Sequence, residues 1–142
     1  MERVMVVRRP LAEVVAYLED FAHAEEWDPG TVRCVRLDEG PLREGAVWRN
    51  TSRFRGRTTA LRYELVVRES ARLVFAGENA TVTAHDDLRF TEEGVATRLT
   101  YQASLRFKGL ARLASPFLRG EFERLADGVV DRLPPAAEAW RP

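Results

Sequence analysis

From Val95 to Phe107 the side chains alternate without a break. Val95, Thr97, Leu99, Tyr101, Ala103, Leu105 and Phe107 share one parity, and Arg98, Thr100, Gln102, Ser104 and Arg106 the other. Period two sends successive side chains to opposite faces of a strand, so the first set turns inward and the second meets water. After Gly109 the period changes. Leu118, Phe122, Leu125, Val129 and Leu133 recur at offsets of three and four, a single apolar stripe on a helix. A strand with one apolar face followed by a helix with one apolar stripe leaves few arrangements open, because each must cover the other.

The rest of the chain fits the same division. Glu2 to Arg9 reads as a short strand ended by Pro10, which is placed at the first position of a helix running to about Glu19. Asp20 is placed to cap a second short helix through Glu26, broken by Trp27-Asp28-Pro29-Gly30. Strands follow over Thr31 to Leu37, Ala46 to Phe54, Arg57 to Val67, Leu73 to Ala76, Thr81 to Phe90 and Val95 to Phe107. Their connections are short, with turns expected at Arg55-Gly56, Gly77-Glu78-Asn79 and Thr91 to Gly94, so the strands form an antiparallel meander. Parity turns Ala46, Trp48, Asn50, Ser52 and Phe54 inward, with Leu61, Tyr63, Leu65 and Val67, and with Val82, Ala84, Asp86, Leu88 and Phe90. Ser115 as cap and Pro116 at the first helical position open a terminal helix to Leu133, roughly 27 Å long. Phe122 and Leu125 are expected buried by the sheet. Leu110, Leu113 and Ala114 are expected to dock on it as a preceding turn. Residues 1–133 read as one domain and 134–142, with Trp140, as a loosely packed tail.

Composition removes several classes of function. With 22 basic and 22 acidic side chains the formal charge is zero, so no excess is available to hold a phosphate backbone. No apolar run approaches the roughly 20 residues of a membrane helix, which argues against integral membrane association. Glu2 and Arg3 after Met1 predict no secretory leader, and Cys34, the single cysteine, fits a reducing cytoplasm. His23 and His85 are far apart and share no ligand-like spacing, so neither a metal nor another cofactor is expected.

The order strand, two short helices, six-strand meander, long helix is the helix-grip plan. Pro10 with Val14, Trp27-Asp28-Pro29, Asp38-Glu39-Gly40-Pro41 with Gly45, Ala84 to Phe90, and Gly94 to Tyr101 carry the likeness. In these residues the chain resembles the polyketide cyclase/dehydrase and lipid-transport family of the START-like, pollen-allergen-like superfamily. The resemblance implies an α+β fold, a curved antiparallel sheet of about seven strands wrapped around the C-terminal helix with a cavity between them. It does not select one reaction.

Six inward positions are polar or amphipathic: Trp48, Asn50, Ser52, Tyr63, Asp86 and Tyr101. An apolar core disfavours such groups, since an unpartnered buried polar group costs about 1–3 kcal/mol. They read as a mostly apolar ligand cavity with a few orienting groups, or as groups bonded to each other and to buried water. Asp86, between Ala84 and Leu88, should have a raised pKa unless a partner compensates. His85 points the opposite way, so His85-Asp86 makes no catalytic pair. His23 is expected in solvent. Trp27-Asp28-Pro29 either gates the cavity or anchors a loop with Asp28 capping a turn, and the anchor is favoured. Arg33, Arg36, Arg49, Arg53, Arg55 and Arg57 read as a solvated face or as a site for an anionic head group or partner. Three functions stay open: binding of a small hydrophobic molecule, a cyclase or dehydratase using Asp86 with Tyr63 or Tyr101 as acid/base groups, and regulation of a protein partner.

Overall fold

The computed structural model describes the backbone of residues 1–142 and every side chain except those of residues 114–117. The expected Ser115–Pro116 cap and the docking of Ala114 therefore lie outside the described side chains. Strand β1 (Glu2–Val7) leads into helix α1 (Leu11–Leu18), a 3₁₀ turn over Phe21–His23 and helix α2 (Ala24–Trp27). Six strands follow: β2 (Thr31–Arg36), β3 (Val47–Phe54), β4 (Arg57–Glu69), β5 (Arg72–Glu78), β6 (Val82–Glu93) and β7 (Ala96–Phe107). A 3₁₀ segment, Gly109–Ala114, then precedes helix α3 (Ser115–Ala139).

All seven strands form one antiparallel sheet in the order β1-β7-β6-β5-β4-β3-β2. The meander is closed at one side by β1, which pairs with β7 from Glu2↔Gln102 to Val7↔Thr97. The sheet curls into a half-barrel around α3, which is the helix-grip α+β fold. No helix among the described residues is long and apolar enough to cross a membrane.

Local chemistry accounts for the turns. Arg55 (φ 52°) and Gly56 (φ 77°) both take left-handed backbone, the pair of conformations that a two-residue hairpin loop demands. The β3–β4 register then runs without a slip from Phe54↔Arg57 to Val47↔Glu64. Pro10 stands one position earlier than expected, as the N-cap of α1, where its carbonyl accepts from the amides of Glu13 and Val14. Asp20 caps the 3₁₀ turn by accepting from the Ala22 amide.

Gly77 is not a turn residue. β5 runs through it to Glu78, because its missing side chain makes room for Tyr63: a Cβ there would lie 2.7 Å from the Tyr63 ring. The turn belongs to Asn79, whose Oδ1 accepts from the amides of Thr81 and Val82. Gly94 (φ 64°) and Val95 make the next reversal as a two-residue loop, so β6 extends to Glu93 and Val95 falls outside the inward set, exposed at the tip. Leu105 also lies partly in solvent.

At the C-terminus the helix continues through Pro134 and Pro135 to Ala139, so the expected loose tail is a packed helix end. Each proline forfeits an intrahelical amide, and tertiary contacts compensate. Leu133 and Ala137 are fully buried, and the Arg9 guanidinium donates to the carbonyls of Ala137 and Trp140 at 2.9 and 2.6 Å. Trp140 packs 5.6 Å from the Tyr17 ring and 5.7 Å from His23. His23 is likewise not a solvated residue. It stacks on Tyr17 at 4.5 Å, and its Nδ1 lies 2.6 Å from the Tyr17 carbonyl. Leu110 and Leu113 do not dock on the sheet. Gly109, at φ 55°, turns the chain outward and leaves them 87% and 74% exposed.

Candidate functional site

Two ends of the inner sheet face are covered differently, and that difference builds the site. Over β2, β3 and β5, the segment Asp20 to Trp27 supplies a dense aromatic core. Phe21 lies 4.5 Å from Phe75, 4.6 Å from Tyr63 and 6.1 Å from Trp48. Over the other ends of β3, β4, β6 and β7 only α3 covers the sheet, and a cavity of about 160 Å³ remains. Phe122, Leu125, Ala126 and Val129 form its helical wall, so Phe122 and Leu125 are only half-buried instead of enclosed by the sheet. Leu61, Val82, Ala84, Leu105 and Phe107 form the opposite wall. Phe54, stacked on Phe122 at 4.9 Å, stands with Phe107 at the mouth.

Of the six sequence-derived candidates, Ser52, Tyr63, Asp86 and Tyr101 line this cavity, and Trp48 and Asn50 do not. Trp48 is completely buried in the aromatic core, with its Nε1 donating to Asp20 Oδ1 at 3.2 Å. Asn50 donates to Thr31 Oγ1 at 2.9 Å and accepts from Ser52 Oγ at 2.5 Å. Parity correctly turns both inward, but Asp20 and Phe21 cover Trp48, and Thr31 and Ser52 hold Asn50. Asp28 also lines it and escaped parity because it belongs to no strand, and Arg53 and Ser104 line it although parity placed them outward. It caps its turn as the anchor reading expected, accepting from the Gly30 amide at 3.0 Å and Thr31 Oγ1 at 2.8 Å. Above it, α3 crosses so closely that a Cβ on Gly128 would lie 2.7 Å from Pro29 Cγ.

Asp86 is held between Phe75 of β5 and Ala103 of β7 in the strand register. Its side chain has no hydrogen-bond partner among the described residues, and the hydroxyls of Tyr63 and Tyr101 have none either. Burial pushes the Asp86 carboxyl up to about 8, with a further contribution from the nearby negative charge of Asp28. Burial also raises Asp28, although its hydrogen bonds from Gly30 and Thr31 and the charge of Arg132 work in the other direction. Tyr63 and Tyr101 are raised well above 10, first by burial and then by Asp86. At neutral pH the cavity therefore presents a carboxylic acid with its proton on and two neutral phenols, all three able to donate. His85 lies exposed on the outer face, opposite to Asp86. Among the described residues no three His, Cys, Asp or Glu side chains are grouped to hold a metal ion.

Residues 1–138 match the family described as "Polyketide cyclase / dehydrase and lipid transport". The chain belongs to this family. Against curated proteins the sequence finds no match. Among solved structures, the Zhui aromatase/cyclase from Streptomyces sp. R1128 superposes with a TM-score of 0.81 at 16% identity, over 97% of this chain and 92% of that one. A START superfamily protein from Mycobacterium smegmatis gives 0.71 at 13% identity, over 94% and 95%. Ara h 8.0201 gives 0.66 at 12% identity, over 96% and 95%. At such identities the family member shares a fold with these three. Their chemistry does not transfer with it.

Proposed function

We propose that this family member binds a small, largely apolar molecule carrying at least one oxygen, held in the cavity beneath α3. The observation that supports the reading is the combination of apolar walls with three polar side chains, Tyr63, Asp86 and Tyr101, that have no hydrogen-bond partner among the described residues. Their polar atoms open onto the cavity, so filling it with a purely apolar molecule would leave them without a partner at a cost. A ligand oxygen that accepts from them removes that cost, while the walls contribute about 0.8 kcal/mol for each methylene-sized group buried. A cavity near 160 Å³ is similar in size to one known to enclose a single aromatic ring. A longer ligand extends past Phe54 and Phe107 into the mouth.

The test is titration with 1-naphthol, followed by calorimetry. Saturable one-to-one binding is expected. Ala126→Phe places a ring in the cavity and should weaken binding at least about tenfold while the protein still melts cooperatively. Binding that ignores this substitution would place the ligand elsewhere.

The proton on Asp86 favours a second reading. A carboxyl titrating near neutrality beside two phenols suits acid/base work on a bound carbonyl or hydroxyl, as in a cyclase or dehydratase. In that case Asp86→Asn lowers turnover about 10²–10⁴-fold with binding nearly intact. In a pure carrier the same change shifts affinity for a neutral ligand by less than about tenfold.

A further inference from the structure

We infer that the mouth of the cavity docks on an anionic lipid surface, with Leu110 and Leu113 entering the interface and arginines from two segments contacting the head groups. Three observations meet at this end of the molecule. The first is apolar exposure. Leu110 and Leu113 are 87% and 74% exposed, and their i, i+3 spacing on a 3₁₀ segment places them over one another on a single side. They follow directly on Phe107, which with Phe54 and Phe122 borders the cavity.

The second is charge. The chain is neutral overall, yet residues 53–57 and 104–119 hold seven of its 22 basic side chains and none of its 22 acidic ones, with Lys108 alone paired, to Glu78, among the described residues. These segments contain the β3–β4 hairpin and the β7–α3 connection, brought together where Phe54 stacks on Phe122. Arg55, Arg57, Arg106, Arg112 and Arg119 are exposed and form no ion pair among the described residues. Arginines in ion pairs, such as Arg36, Arg68, Arg72 and Arg98, sit on other parts of the sheet.

The third is the combination. A phosphate backbone would be attracted by the arginines but would gain nothing from two bare leucines. A bilayer with anionic head groups rewards both, because the leucines reach the acyl boundary while the arginines stay at head-group level. This differs from spanning a membrane, for which no described helix is long and apolar enough. It also gives the exposed 3₁₀ segment a position from which a ligand passes between bilayer and cavity without crossing water.

The docking stands apart from the cavity reading, and one experiment separates the two. The full chain is floated with vesicles of phosphatidylcholine alone and of phosphatidylcholine mixed with phosphatidylglycerol. Partition should be at least about tenfold higher on the anionic vesicles and should fall steeply as salt is added. Leu110→Ser with Leu113→Ser, and separately Arg57→Glu with Arg112→Glu, should each lower it about tenfold without changing the melting temperature. Arg43→Glu, in the connection at the opposite end of β3, should leave it unchanged, and Ala126→Phe should still float. No partition, equal partition on neutral vesicles, or an equal loss in Arg43→Glu would each overturn the docking surface. Capture by polyglutamate without capture by vesicles would overturn it too, by assigning the pole to an acidic protein.

Discussion

Asp86 sits between two fully apolar neighbours on its own face and keeps its proton to about pH 8. In the unfolded chain an aspartate titrates near 3.9. Between those values the native state binds more protons than the unfolded one, so stability falls as pH rises. The contribution is fully present below about pH 4 and is lost through about pH 8. Asp86→Asn, which carries no charge to bury, should therefore melt higher than the wild type at pH 8 and close to it at pH 4. Thermal denaturation at the two pH values reads this directly, and a variant destabilised equally at both would contradict the burial of an unpaired carboxyl. Gly77 gives a second handle. A methyl there would lie 2.7 Å from the Tyr63 ring, so Gly77→Ala should cost about 1–3 kcal/mol by overpacking and displace the phenol from the cavity. The inward turn of Asp86 was legible from strand parity alone. The space-making role of Gly77 was not, because a glycine followed by Glu78-Asn79 carries the same local signal as a turn.

The strands and α3 were largely written in periodicity, whereas the coverage of the sheet was not. Trp48, Asn50 and Tyr63 share one inward face, but only Tyr63 reaches the cavity, because the Asp20–Phe21 turn covers Trp48 while Thr31 and Ser52 hold Asn50. No local pattern states where a short helix will sit. The C-terminal helix shows the same limit in reverse. Pro134 and Pro135 are strong breakers by propensity, yet burial of Ala137, the Trp140 ring against Tyr17 and two hydrogen bonds from Arg9 carry the helix past them. Deleting residues 134–142 should consequently destabilise the protein by about 2–5 kcal/mol, the range for loss of a large buried side chain with its neighbours. Denaturant titration checks it, and an unchanged midpoint would mean that the segment is dispensable. Phe122→Ala, on the half-buried cavity wall, should cost less than the roughly 3–5 kcal/mol of a fully enclosed phenylalanine and should enlarge the site toward the mouth.

Taken whole, the molecule concentrates its chemistry at one end. The aromatic core beneath α1 and α2 fixes the sheet, and the other end keeps the cavity, the unpartnered donors and the basic mouth. Family membership matches that division, since a sheet gripping a helix leaves such a space by construction, while the residues lining it set what enters. The central claim is that Tyr63, Asp86 and Tyr101 select a ligand oxygen inside an apolar cavity. Calorimetric titration with 1-naphthol and with naphthalene, in the wild type and in Tyr63→Phe with Tyr101→Phe, tests it most directly. The wild type should bind 1-naphthol about tenfold more tightly than naphthalene, near the value of one or two neutral hydrogen bonds, and the double variant should lose most of that preference while retaining naphthalene. Equal affinity of the wild type for both compounds, or a preference that survives the loss of both phenols, would contradict it.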